Sequence, residues 1–253
     1  MTRRILCTLG GILLLAGCSG SSAESRTAAS ADEVPEQTIV ALDLSGSQTP
    51  GRLHESRMAL DEVIDELGYG DRVVLIQVHQ RQAQEEGARR WTETLPRPTA
   101  GQPANSLDAE RAERIRDAAR AVATEFFDAE AAGHIPTTDL FATLHIAAEY
   151  ARAEPDRHTT LVLLSDMLQS AHGVEMDRAG GVPPAEWLEA QARAGVLPRL
   201  GGVCVVVIGA DATSAHGIQV RDFWRAYMTA AGASLREENY RLITAGGVGG
   251  CSA

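Results

Sequence analysis

No lysine occurs in the chain, so every basic side chain is an arginine, a bias that reads as genome composition and not as function. Basic charge is scarce altogether: 23 basic residues face 34 acidic ones, for a net charge of −11. Nucleic-acid phosphates demand a basic face, so this balance excludes nucleic acid as a partner. It also disfavours adsorption to anionic lipid headgroups. An acidic partner is repelled unless something positive stands between, and a divalent cation supplies that charge. No H-x-x-x-H or comparable spacing supports zinc, and His134 and His172 read as surface-loop histidines. No G-x-S-x-G elbow supports a serine hydrolase. Apolar residues make up an ordinary 44%, and the 253 residues suffice for one α/β domain with a short appendage.

The N-terminus reads as an address. Arg3 and Arg4 precede an apolar run at residues 5–16, too short to span a bilayer but right for a signal-peptide core. The run ends in L-A-G-C at residues 15–18, which resembles the bacterial lipobox. That resemblance implies cleavage after residue 17 and lipid on Cys18. The arginine pair also faintly resembles a twin-arginine signal, but the residues that follow depart from it, and ordinary export is the default. Removal of residues 1–17 takes two arginines and no acid, making the mature chain more negative still. Residues 19–37 are small, polar and charged without apolar periodicity, hence a tether with a reach on the order of 25 Å. Ser19 stands where an aspartate would favour inner-membrane retention, so by likeness to other lipoproteins the outer membrane is weakly favoured.

Two cysteines are then left, Cys204 and Cys251. An exported protein permits a bridge. Forming it requires the glycine-rich tail to double back along the sheet, roughly 20 Å at about 3.3 Å per residue. A buried thiol with a frayed tail is the alternative.

From residue 38 onward, short β-branched apolar runs alternate with amphipathic helices. Buried strands are read at residues 38–44, 72–79, 159–164 and 203–208, a final strand at 240–244, and an edge strand bounded by Pro96 and Pro98 at 90–95. Helices are read after the first strand (Leu60, Val63, Ile64 and Leu67 as the core stripe) and at 106–129, 139–152, 185–194 and 219–231. Continuous apolar strands between helices mean a doubly wound, mostly parallel six-stranded sheet covered on both faces, with one antiparallel edge strand.

In such sheets ligands sit at the carboxyl ends of the strands. Three polar segments converge there: D-L-S-G-S at residues 43–47, T-T-D at 137–139, and Asp166 after L-V-L-L-S. Hydroxyl and carboxylate oxygens are hard ligands suited to Mg²⁺, Mn²⁺ or Ca²⁺. Each segment alone is weak, since serine and glycine are common after any strand and Thr138 is also a plausible helix N-cap.

Taken in order, the three segments resemble the metal-ion-dependent adhesion site (MIDAS) of von Willebrand factor type A (vWA) domains. The family writes it as D-x-S-x-S, a distant threonine, and an aspartate ending a later strand. The resemblance spans about residues 38–244 and implies a vWA-like domain over 38–253. It assigns Asp43, Ser45, Ser47, Thr138 and Asp166 to the metal. Ser45, Ser47 and Thr138 are implied as direct or nearly direct ligands, with Asp43 and Asp166 acting mainly through water. Mostly neutral direct ligands leave the ion electrophilic, so an acidic side chain of a protein partner completes its shell. Met167 stands where the family has a glycine, a departure that puts the geometry of that loop in doubt.

The expected function is therefore an envelope-anchored lipoprotein that binds a protein through a divalent metal. The alternatives are a metal-independent scaffold of the same fold or, further off, a phosphoesterase using Asp43. The last wants an acid where Ser45 stands and a later lysine. Phe223, Trp224 and Tyr227 are read as core or its margin. Residues 168–184, a long loop after Asp166, are read as the surface that shapes specificity.

Overall fold

The computed structural model describes residues 34–45, 49–78, 90–99, 102–132, 137–178 and 180–243, with side chains left aside for 129–132. The signal segment, Cys18, most of the tether, Gly46, Ser47, His79, His134, Thr244 and Cys251 lie outside the described residues.

In chain order the elements are β1 (Glu36–Asp43), α1 (Pro50–Glu66), β2 (Arg72–Val78), β3 (Arg90–Thr94), α2 (Ser106–Ala132), α3 (Leu140–Ala153), β4 (His158–Leu164), α4 (Ala185–Ala194), β5 (Cys204–Ile208), α5 (Ala215–Ala230) and β6 (Tyr240–Arg241). The sheet runs β3-β2-β1-β4-β5-β6. Every neighbouring pair is parallel except β2 with β3, which is antiparallel at the edge. This is the doubly wound α/β fold that the alternation of strands and helices predicts, with its order reversing between β1 and β4.

Period-two alternation divides each central strand between two cores. Ile39 and Ala41, Val74 and Ile76, Leu161 and Leu163, and Val205 and Val207 face α3 and α5. Val40 and Leu42, Val73 and Leu75, Val162 and Leu164, and Val206 and Ile208 face α1 and α2. Being buried on both faces is why these strands read as unbroken apolar runs. Phe223, Trp224 and Tyr227 sit in the α3/α5 core, in ring contact with one another. The opposite end of the sheet is tied by Asp71, whose carboxylate accepts from the N–H groups of Glu36 (2.9 Å) and Gly68 (2.7 Å).

Several boundaries differ from the sequence reading. β1 starts at Glu36, inside the stretch read as tether, and its Gln37 is fully buried and donates to Tyr150 O at 3.2 Å. α5 begins at Ala215 and not at 219, because Ser214 caps it by accepting from Gly217 N–H at 3.0 Å. β6 is two residues long, and Leu242 and Ile243, read as strand, stand exposed. Its partner runs out first: Gly209 and Ala210, just past β5, both turn their N–H groups onto Arg241 O.

Candidate metal site

Asp43 closes β1 at the sheet's point of reversal, where parallel pairing sets Leu42 against Leu164. The hydroxyl of Ser165, one residue past β4, donates to Asp43 Oδ2 at 2.6 Å. Ser45 N–H donates to Asp43 Oδ1 at 3.1 Å, folding the chain after β1 back over its own carboxylate. Asp43, Ser45, Thr138 and Asp166 are all at most 4% exposed. Burial, then the charge of Asp166, push the Asp43 carboxyl up to about 6, while the hydrogen bonds of Ser165 and Ser45 pull it down. The ends of two neighbouring strands thus bring two buried carboxylates close enough for the charge of one to disfavour that of the other.

Asp166 is held from two sides. Its Oδ1 accepts from Leu168 N–H at 3.0 Å, and its Oδ2 accepts from Arg52 Nη1 at 3.3 Å. The next residue resolves the missing glycine. Met167 takes φ 64°, the left-handed conformation for which glycine is suited, and its side chain is fully buried. Its N–H donates to Ser165 Oγ at 2.9 Å and its carbonyl accepts from Trp224 Nε1 at 2.8 Å. The turn is kept, held by packing and hydrogen bonds.

Thr138 reaches the same end of the sheet through residues beyond Asp166. Its N–H donates to Ser170 Oγ at 2.8 Å and its carbonyl accepts from Ser170 N–H at 3.0 Å, bonds in which its own hydroxyl takes no part. The cap of α3 is Asp139 and not Thr138: Asp139 Oδ1 accepts from Ala142 N–H at 3.0 Å. The other Asp139 oxygen lies 2.6 Å from His172 Nε2. His172 is therefore a surface-loop histidine, as read, but one tied to a fully buried aspartate.

The loop beyond Asp166 is less of a free surface than its length suggests. Gln169 and Met176 are fully buried, and Gln169 Oε1 accepts from Leu140 N–H at 2.7 Å. Residues that sequence reasoning missed are Ser165, Arg52, Gln169 and Ser170. Only Ser165 left a signal, its place beside Asp166 in the S-D pair.

Of the five residues assigned to the metal, Asp43, Ser45 and Asp166 are brought together, Thr138 is tied to the Asp166 loop, and Ser47 lies outside the described residues. Among the described residues no group of three or more histidines, cysteines, aspartates or glutamates assembles for a metal. The donors here are instead two carboxylates and neighbouring hydroxyls, an oxygen set of the kind hard divalent cations take. The repulsion between Asp43 and Asp166 is what such a cation offsets, so the residues fit one. Cys204 is disulfide-bonded and not a buried free thiol, while Cys251, the candidate partner, lies outside the described residues.

A cavity of about 600 Å³ opens beside this region between α3, α4 and the Asp166 loop. Phe141, Trp187 and Tyr227 form its apolar wall, and His145, Glu149 and His172 add polar groups. Phe141 and Trp187 stack with centroids 5.6 Å apart.

No protein-family model matches the chain, and no curated protein matches it. Solved structures do. The von Willebrand factor type A protein from Catenulispora acidiphila is similar at 14% identity over 78% of this chain and 43% of that one, TM-score 0.36. The manganese-loaded TRAP protein of Plasmodium vivax is similar at 15% identity over 82% of this chain and 67% of that one, TM-score 0.36. The pilus adhesin SpaC of Lactobacillus rhamnosus GG is similar at 11% identity over 84% of this chain and 28% of that one, TM-score 0.45. The chain spans less than half the length of the first of these and of the adhesin. The fold stands on its own strand order: a six-stranded doubly wound α/β sheet with one antiparallel edge.

Proposed function

We propose that the chain is a binding module, held at the bacterial cell envelope by lipid on Cys18, that grips a protein partner through a divalent metal, Mg²⁺ foremost and Mn²⁺ or Ca²⁺ as substitutes. The observation that carries this reading is the pair of buried carboxylates, Asp43 and Asp166, at the sheet's reversal point, with the hydroxyl-bearing Ser45 and Ser165 beside them. Asp43, Ser45, Ser47, Thr138 and Asp166 would hold the ion. Bound there, the metal supplies a Lewis-acidic position for a carboxylate of the partner. The protein's own part is positional: Ser165 and Ser45 aim Asp43, Leu168 N–H aims Asp166, and Ser170 anchors Thr138.

A binding role suits the net charge of −11, since a bound cation is what lets an acidic domain hold an acidic partner. Nucleic acid has no place in it. Among the described residues no helix is long and apolar enough to cross a membrane. Attachment is assigned to the lipid on Cys18, with Ser19 after it weakly favouring the outer membrane.

The test is calorimetric titration of Mg²⁺ and Mn²⁺ into the full-length chain in detergent, beside Asp43→Ala. One site that disappears in the variant supports the reading; a folded wild type that takes neither ion removes it. One observation favours a second reading, a metal-independent scaffold: Arg52 already places a positive charge against Asp166. Partner capture that survives EDTA and Asp43→Ala would select it. Turnover of a generic phosphoester would select the phosphoesterase instead.

A further inference from the structure

We propose that Arg52 is a competitor for the metal built into the fold: its guanidinium holds Asp166 while no divalent ion is bound, and it must withdraw for the ion to bind. The proposal rests on the metal-binding reading above and names how that site is controlled.

Arg52 sits in the first turn of α1, directly after the D-x-S-x-S segment. Thr49 caps that turn by accepting from Arg52 N–H at 3.3 Å, and Pro50 opens it, so the backbone that carries Arg52 is fixed at the rim. From there Nη1 reaches Asp166 Oδ2 at 3.3 Å.

The two partners are unequal. The Asp166 side chain is 2% exposed and pinned through Oδ1 by Leu168 N–H, whereas the Arg52 side chain is 30% exposed. Asp166 has nowhere to go; Arg52 has solvent beside it and a long flexible stem. An approaching cation therefore displaces the arginine and leaves the aspartate in place.

Coexistence is disfavoured by charge. A guanidinium on Asp166 and a divalent ion beside the same carboxylate repel each other across a site shielded from water, where screening is weak. The single charge of Arg52 also addresses only one of the two carboxylates. Asp43 accepts from hydroxyl and N–H donors, and among the described residues none of its hydrogen bonds comes from a cation. The arginine is thus a partial substitute that a divalent ion improves upon.

Linkage makes the effect mutual: whatever factor Arg52 takes from metal affinity, metal takes from the Arg52–Asp166 bond. Metal loading would then release the first turn of α1 from the Asp166 loop and leave a free guanidinium at the rim, beside the place where an acidic partner arrives.

The experiment is Mn²⁺ titration by calorimetry of the full-length chain in detergent, for wild type, Arg52→Gln, Arg52→Lys and Arg52→Gln/Asp43→Ala, with thermal melts in EDTA and in excess Mn²⁺. The Arg52 side chain is partly exposed, and circular dichroism of each variant checks that it is folded before titration. Arg52→Gln is expected to bind Mn²⁺ roughly tenfold tighter, Arg52→Lys to stay near wild type, and the double variant to bind nothing. Arg52→Gln should also melt lower than wild type in EDTA and gain more from Mn²⁺. Unchanged or weaker affinity in Arg52→Gln overturns the proposal while leaving the metal site standing. Tight binding that persists in the double variant overturns it as well, because the ion is then elsewhere. Absence of binding in both folded wild type and Arg52→Gln brings down the metal reading itself and this inference with it.

Discussion

The hydroxyl of Ser165 donates to Asp43 Oδ2 at 2.6 Å and its oxygen accepts from Met167 N–H at 2.9 Å, so one side chain at the end of β4 fixes both the carboxylate of β1 and the turn that follows Asp166. Ser165→Ala removes both bonds at a buried position. Hydrogen bonds to charged groups contribute about 1.5–3 kcal/mol, and the variant should lose stability in that range. Urea unfolding measures it. Mn²⁺ affinity should fall as well, because Asp43 then loses one of the two bonds that aim it.

The pH response of the metal-free chain follows from Asp43. Its carboxyl is pushed from 3.8 up to about 6 by burial and by Asp166. Between those values the folded chain holds more protons than the unfolded one, so stability declines as pH rises through that window and the full penalty is in force above it. In EDTA, urea unfolding should show wild type losing more stability from pH 4 to pH 7 than Asp43→Asn. Equal slopes would mean that Asp43 is not raised. Metal should reverse the trend, since it binds the ionised form.

Met167→Gly sets two effects against each other. Glycine relieves a left-handed conformation that costs a side-chain-bearing residue roughly 1–2 kcal/mol. It also deletes a fully buried methionine, a loss of about 2–5 kcal/mol by the scale of methionine-to-alanine changes. The cavity term is larger, so the variant should be net destabilised despite matching the family pattern. A rise in melting temperature would show that strain at this turn outweighs packing.

Gly209→Ala should damage the site from behind. Gly209 has φ 105°, and a Cβ there would stand 3.2 Å from Ser165 O. A strained backbone of this kind costs of order 1–3 kcal/mol, and the added carbon presses on the segment that carries Ser165 and Asp166. Reduced stability together with reduced Mn²⁺ affinity is the expected pair of results. Lower stability with metal affinity intact would show that the strain is absorbed on the β6 side.

Much of this architecture is legible in the sequence, and the reasons are local. β1, β2, β4 and β5 are buried on both faces, which makes their central residues β-branched or aliphatic almost throughout. Asp43 and Asp166 stand out because polar residues that end such runs fall at the sheet's carboxyl edge. The edge strand β3 is bounded by prolines that mark it. What stays hidden depends on contacts far apart in the chain. Arg52 looks like any charged residue of a solvated helix turn; only the fold brings it to Asp166, 114 positions later. Gln169 gives no sign that it will be buried to serve Leu140 N–H. β6 is overread at 240–244 because its length is set by where β5 stops, which its own residues do not encode.

The loop after Asp166 alternates between interior and surface. Gln169, Ala171, Val174 and Met176 belong to the interior, whereas His172, Gly173, Asp177 and Arg178 face outward, interleaved with them along a stretch of ten residues. Variation along this rim is therefore unequal. A change at an inward position is felt as a folding defect before it alters any contact with a partner. A lineage adapting to a new partner has few neutral steps here, confined to the outward positions, and length changes in the loop would dislodge the inward ones. Recognition in related chains should diverge by side-chain exchange at these outward positions while the loop keeps its length.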